Sequence, residues 1–159
     1  YDHGLNMAEA VSRRLLDLAI VNEVPAGTRL GVEALPPEPL VLVSDQPLRL
    51  GQDELPLFIN LEFGSEYAAQ VQQVVPRRSR QHIVLGNAPM GLRYLMKRGG
   101  MGYFPAYMAA EALAAGQIHR VEEAPQISLS CKVLYLTDNP ALEQIRQVLQ
   151  GLREVRGSG

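Results

Sequence analysis

The feature that most constrains this chain is a regular alternation, from Pro39 to Val121, of short apolar runs with segments of about ten residues at helical spacing. The runs Pro39 to Ser44, Leu57 to Asn60, His82 to Leu85, Met101 to Pro105 and Ile118 to Val121 read as strands. Between them, Ser65 to Val75, Asn87 to Arg98 and Ala106 to Ala115 read as helices. Strands alternating with helices of this length imply βαβ units and an α/β fold with a largely parallel sheet. At the front, Leu5, Ala8, Val11 and Leu15 recur at three and four, the stripe of a helix on a core. Leu16 to Val21 follows as a strand buried on both faces. Pro25, Gly27, Pro36 and Pro37 then mark a loop and an edge segment. At the end, Ile127 to Tyr135 is a long extended run. Asn139-Pro140 caps a last helix carrying Leu142, Ile145, Leu149 and Leu152 on one face.

Composition narrows the function classes. Of the 159 residues, 47% are hydrophobic and 20% charged, which is the make-up of a folded domain or two small lobes. A net charge of -2 leaves no basic excess with which the chain could grip a phosphate backbone by itself. The run Arg77-Arg78, with Arg80, reads as a solvated loop. A single cysteine, Cys131, excludes an internal disulfide and a thiolate cluster and fits a reducing, cytoplasmic setting. The longest apolar stretches, such as Leu40 to Val43, fall well short of the roughly 18 residues that span a bilayer, so no membrane partner is expected. The start at Tyr1 and the ending Gly157-Ser158-Gly159 read as a trimmed chain with an appended linker at 157–159.

Catalytic motifs fail one by one. Gly86 to Gly91 has the glycine spacing of a phosphate loop, but Leu92-Arg93 stands where Lys and Ser or Thr would meet phosphate and magnesium. Gly99-Gly100-Met101-Gly102 leaves a helix and opens a strand, the reverse of a dinucleotide fingerprint. His3, His82 and His119 are scattered without metal-ligand spacing, so neither a metal nor a cofactor is expected. Cys131 sits in an apolar strand as a small hydrophobe, and there is no Gly-x-Ser-x-Gly elbow. Glu62, Glu66, Glu122 and Glu123 read as solvated acids. The expectation is a binding module, with no catalytic residues.

What remains is an arrangement. The units at Asn60 to Ser65 and Leu85 to Pro89 bring helix N-termini to strand C-terminal ends, the edge where open α/β sheets bind ligands. Asn60, Phe63, Ser65 and Asn87 are the candidate contacts, with Ser65 and Asn87 either capping their helices or turning to a ligand. Glu62 is the one full charge in these loops. The expected ligand is therefore a small polar or carboxylate-bearing molecule held by N–H groups, hydroxyls and amides.

The order Leu16 to Val21, then Glu38-Pro39-Leu40-Val41-Leu42-Val43, then Lys97-Arg98-Gly99-Gly100-Met101-Gly102-Tyr103-Phe104-Pro105 resembles the effector-binding domain of LysR-type transcriptional regulators. The resemblance covers nearly the whole chain. It implies a two-lobed fold of the periplasmic-binding-protein type (type 2), with two crossing strands near Ser44 to Pro47 and Ser128 to Lys132. Residues 1–43 plus 131–156 would form the first lobe and 44–130 the second. It adds Gly102, Tyr103 and Phe104 as a wall of the ligand site. Successive strand residues face opposite sides, so one of the two rings is expected only to pack. It further implies a small-molecule effector, DNA binding through a separate N-terminal helix-turn-helix, and a homo-oligomer in the full-length protein. Members usually open with a further strand, helix and part of a strand, about 40 residues, so the first lobe is expected to be incomplete. A transporter's solute-binding protein is the alternative, sharing the fold class.

Overall fold

The computed structural model describes residues 3–75 and 81–157, with the side chains of residues 3–5 left undescribed. Tyr1, the Arg77 to Arg80 segment and Ser158-Gly159 lie outside the described residues. The chain divides into two compact units, 1–37 with 130–159 and 38–129.

The first unit contains α1 (His3–Ser12), β1 (Leu18–Val21), the start of β2 (Gly31–Ser44), most of β7 (Ile127–Tyr135) and α5 (Leu142–Gly157). β1 pairs antiparallel with β7, Leu18 opposite Tyr135 and Val21 opposite Lys132. Ala8 of α1 packs with Val21 and Leu134. Helix α5 places Ile145 and Leu149 on Leu35, Cys131 and Val133, with Leu152 half-buried beside them. Its start is fixed as the sequence suggests: the Ala141 N–H donates to the Asn139 side-chain oxygen at 2.8 Å.

Three expectations for this unit need correction. β1 ends the strand order and shows an alternating burial pattern rather than burial on both faces, with Ile20 44% exposed, because only one of its edges and one of its faces is covered. Leu15 lies beyond α1 and is 73% exposed, so it has no place in the stripe. β2 begins at Gly31 and runs straight through Pro36 and Pro37, where the sequence suggests a loop and an edge segment. Glu33, on this part of β2, accepts from the Tyr135 hydroxyl at 3.1 Å and pairs with Arg153 of α5.

The second unit is built on the sheet order β2, β5, β3, β4, with β5 (Met101–Pro105), β3 (Phe58–Leu61) and β4 (His82–Leu85). The two-residue strand β6 (His119–Arg120) pairs with the end of β2. Helices α2 (Ser65–Val74), α3 (Ala88–Arg98) and α4 (Ala106–Ala114) follow β3, β4 and β5. The sheet is mixed rather than largely parallel: β3 runs parallel to β4 and β5, whereas β2 runs antiparallel to β5 and β6. A buried apolar run satisfies either direction, so the sequence pattern does not distinguish them.

Side chains alternate across this sheet into two cores. Leu40, Leu42, Phe58, Met101 and Tyr103 join Tyr67 and Val71 of α2 on one face. Val41, Val43, Ile59, Leu61 and Phe104 join Leu92 and Leu95 of α3 and Ala109 and Ala112 of α4 on the other. Residues 38–43, assigned from sequence to the first lobe, therefore belong with the second unit, since both faces of Leu40 to Val43 are filled by its helices. The chain passes between the units along β2 and along β7, neighbours in the strand order.

Candidate functional site

Because β3 and β4 are parallel and in register, Leu61 opposite Leu85, their C-terminal ends coincide at one edge of the second unit. Each then turns at once into a helix. After β3, the Phe63 N–H donates to the Leu61 carbonyl at 3.1 Å, and Gly64, at φ 98°, delivers the chain to α2. This left-handed conformation is the reason for glycine there. After β4, Asn87 caps α3: its side-chain oxygen accepts from the Met90 N–H at 2.9 Å. The two helix N-termini, with the positive ends of their dipoles, thus open at the same sheet edge.

Asn60 is half-buried in β3, Phe63 is half-buried in the following loop, and Ser65 and Asn87 are exposed at the helix starts. The structure brings these four to one edge. It differs from expectation at Ser65, which is the first residue of α2 and not its cap, the capping position being taken by Gly64. Phe63 meets Tyr67 edge to face, centroids 5.3 Å apart, and so anchors its loop to the core beneath.

Gly102, Tyr103 and Phe104 are all buried, and both rings are packing side chains where only one was expected to be. Tyr103 and Phe104 are each 0% exposed and fall in opposite cores. A helix layer covers each face of β5, so neither side of the strand is left for an open wall. The Tyr103 hydroxyl donates to the Pro125 carbonyl at 2.8 Å. Burial pushes its pKa up to about 12. Gly102 lets β5 approach β3: a Cβ there would stand 2.7 Å from the Ile59 carbonyl oxygen and 2.9 Å from the Phe104 ring. These three residues form the layer under the site.

The glycines screened as phosphate or dinucleotide loops have structural work. Gly91 is buried where α3 crosses β3, with Ile59, Leu61 and Phe104 each 3.3 Å from where a Cβ would be. Gly99 and Gly100 take φ 86° and 131° between α3 and β5. Cys131 is buried, with the Asn22 amide 3.7 Å from its sulfur. Glu122 and Glu123, read as solvated acids, are exposed, but they line an open depression of about 870 Å3 with Arg49, Asp53 and Arg120. Sequence reasoning missed this depression because its two rims lie far apart in the chain. Among the described residues no helix is long and apolar enough to cross a membrane.

A chain that crosses twice between two α/β units, and gathers helix N-termini at one strand edge, has the architecture of small-molecule-binding domains of the two-lobed periplasmic-binding-protein kind. The chain belongs to the LysR substrate-binding domain family, whose model matches residues 2–157. The family comprises effector-binding regulatory domains of LysR-type transcriptional regulators and is not an enzyme family, which decides against the transporter protein considered as the alternative. No curated protein sequence matches the chain. Among solved structures, it is similar to full-length LysG from Corynebacterium glutamicum with bound effector Arg, at 15% identity and TM-score 0.67. That match covers 94% of this chain and 55% of LysG, so the chain spans little more than half of that regulator. The regulatory domain of HypT from Salmonella typhimurium matches at 12% identity and TM-score 0.71, covering 92% of this chain and 77% of that one. The effector domain of AmpR from Pseudomonas aeruginosa matches at 21% identity and TM-score 0.69, covering 94% and 78%.

Proposed function

We propose that this chain senses a small polar or carboxylate-bearing effector for a LysR-type DNA-binding regulator. In this reading it works in the cytoplasm, as part of a homo-oligomer, and performs no catalysis. The observation that carries the site is the in-register ending of β3 and β4, which sets two helix N-termini side by side. Asn60, Ser65 and Asn87 supply amide and hydroxyl partners, Phe63 supplies contact area, and Gly102, Tyr103 and Phe104 hold the floor rigid. Effector occupancy shifts the populations of conformations, and that shift is what a linked DNA-binding domain reads. The bound arginine in LysG supports an effector of this size and polarity.

The test is a thermal-shift screen of the chain against small carboxylates and amino acids, followed by calorimetric titration of any hit. Ser65→Ala and Asn60→Ala should each weaken binding about fivefold or more, the value of one lost hydrogen bond. A hit that both folded variants bind as tightly as the parent places the site elsewhere.

A further inference from the structure

The open depression lies at the edge of the second unit opposite the β3 and β4 ends, since β5 runs parallel to β3 and its first residue, Met101, pairs with Ser44 at the far end of β2. It is open to solvent and spans about 870 Å3, room enough for a small molecule. Two segments form its rims, and each is held by hydrogen bonds. In the loop after β2, the Arg49 N–H donates to the Asp53 carboxylate at 2.7 Å while the Asp53 N–H donates to the Arg49 carbonyl at 3.1 Å. Opposite, β6 pairs with Val43 and Ser44, and the Val121 N–H donates to the Leu42 carbonyl at 3.0 Å. The turn that follows carries Glu122 and Glu123 and is tied down by the Tyr103 hydroxyl on Pro125.

The chemistry of the lining is two-signed. Arg49 and Arg120 supply guanidinium groups, Asp53, Glu122 and Glu123 supply carboxylates, and the half-buried Leu48 and Leu113 supply an apolar surface. The four ion pairs among the described residues involve none of these charges. Charges of both signs therefore face one space without pairing to each other, beside the apolar side chains of Leu48 and Leu113. A guanidinium grips a carboxylate by two parallel hydrogen bonds, whereas an ammonium group is held by carboxylates.

We propose that this depression is a second ligand site, separate from the effector edge, that takes a small zwitterion with an aliphatic side chain, an α-amino acid in its chemistry. Arg49 and Arg120 receive the carboxylate, the acids receive the ammonium, and Leu48 and Leu113 receive the side chain. Both rims hang on the last residues of β2, so occupancy would fasten the loop 45–57 to the 119–123 turn.

Amide chemical-shift mapping of the isotope-labelled chain with L-leucine, titrated into the millimolar range, tests this. Isocaproate, which lacks the ammonium, and isopentylamine, which lacks the carboxylate, are run in parallel. Leucine should shift residues 47–53 and 118–123, and each analogue should bind about tenfold more weakly or worse, as expected for a lost charge-assisted contact. Arg49→Ala and Arg120→Ala should weaken leucine by a similar factor, and the double variant Glu122→Gln, Glu123→Gln should weaken leucine but not isocaproate. The same spectra report whether each variant is folded. Absence of shifts in these segments, equal binding of isocaproate and leucine, or unchanged binding by both arginine variants overturns the proposal. Shifts confined to 60–65 and 85–89 also overturn it, assigning the amino acid to the effector edge.

Discussion

Asp45 and Gly100 hold each other by two hydrogen bonds: the Gly100 N–H donates to the Asp45 carboxylate at 2.8 Å, and the Asp45 N–H donates to the Gly100 carbonyl at 3.1 Å. This exchange locks the end of β2 to the start of β5, at the glycine pair between α3 and β5. Gly100, at φ 131°, leaves no room for a side chain, since a Cβ would stand 2.8 Å from the Leu57 carbonyl oxygen.

Asp45→Ala should therefore cost about 1–3 kcal/mol, because it strands a half-buried N–H. Asp45→Asn, which keeps an accepting oxygen, should recover much of that loss. Urea denaturation of the two variants decides it, and equal stability of Asp45→Ala and the parent would remove the lock.

Tyr103 makes a pH-dependent contribution whose sign follows from burial. Its pKa rises from 10.0 to about 12 in the folded chain, so above pH 10 the unfolded chain gives up this proton while the folded one keeps it. The stability it contributes is complete below pH 10 and is lost as pH rises through 12. Tyr135 is also raised, first by burial and then by its hydrogen bond to Glu33, and adds to the same fall. Tyr103→Phe should flatten part of the alkaline loss, measured as unfolding free energy at successive pH values through that window. It should also cost about 1 kcal/mol at neutral pH for the lost bond to Pro125.

Gly102→Ala should destabilise by about 1–3 kcal/mol or prevent folding, since its methyl would meet the Ile59 carbonyl and the Phe104 ring with no flexible neighbour to move. Thermal unfolding of this variant beside Gly116→Ala, where nothing stands within 4 Å but φ is +70°, separates crowding from backbone strain. The crowding account predicts the larger loss at Gly102.

Asn87 has a capping duty that must be separated from any ligand duty. Asn87→Ala should lower stability by about 1 kcal/mol, while Asn87→Ser, also a good cap, should stay close to the parent. If Asn87→Ser keeps stability yet loses effector affinity in calorimetry, the amide contacts the ligand. If it keeps both, the residue caps and nothing more.

The elements that were legible before the structure are those whose signal is local. The stripe of Leu142, Ile145, Leu149 and Leu152 marks α5, and the Asn87 cap marks the start of α3. The family resemblance rested on segments such as Gly99 to Pro105, where turn glycines and a fully buried strand adjoin. Non-local features were not legible. Pro36 and Pro37 suggested a break, yet β2 continues through them, because strand continuity is set by neighbouring strands rather than by local propensity. Strand direction is not legible because Leu40 to Val43 looks the same in either sense. At the candidate site, the resemblance implies a cleft wall of Gly102, Tyr103 and Phe104 with one ring only packing, and only the presence of α2 on one face and of α3 and α4 on the other turns both rings into floor. The depression between residues 47–53 and 118–123 is invisible in the sequence because its two rims lie far apart in the chain and meet only where β6 pairs with the end of β2.

The division of the chain also sets an order of assembly. The second unit is one uninterrupted stretch, 38–129, whereas the first is completed only when residues 130–159 join residues 1–37. During synthesis the inner unit can collapse on its own cores while the outer one still lacks β7 and α5. Once formed, the inner unit holds the ends of its own stretch in place and removes much of the loop-closure entropy the outer unit would otherwise face. Slow or defective folding in 38–129 therefore delays the outer unit as well, whereas a lesion confined to α5 leaves the inner unit free to form.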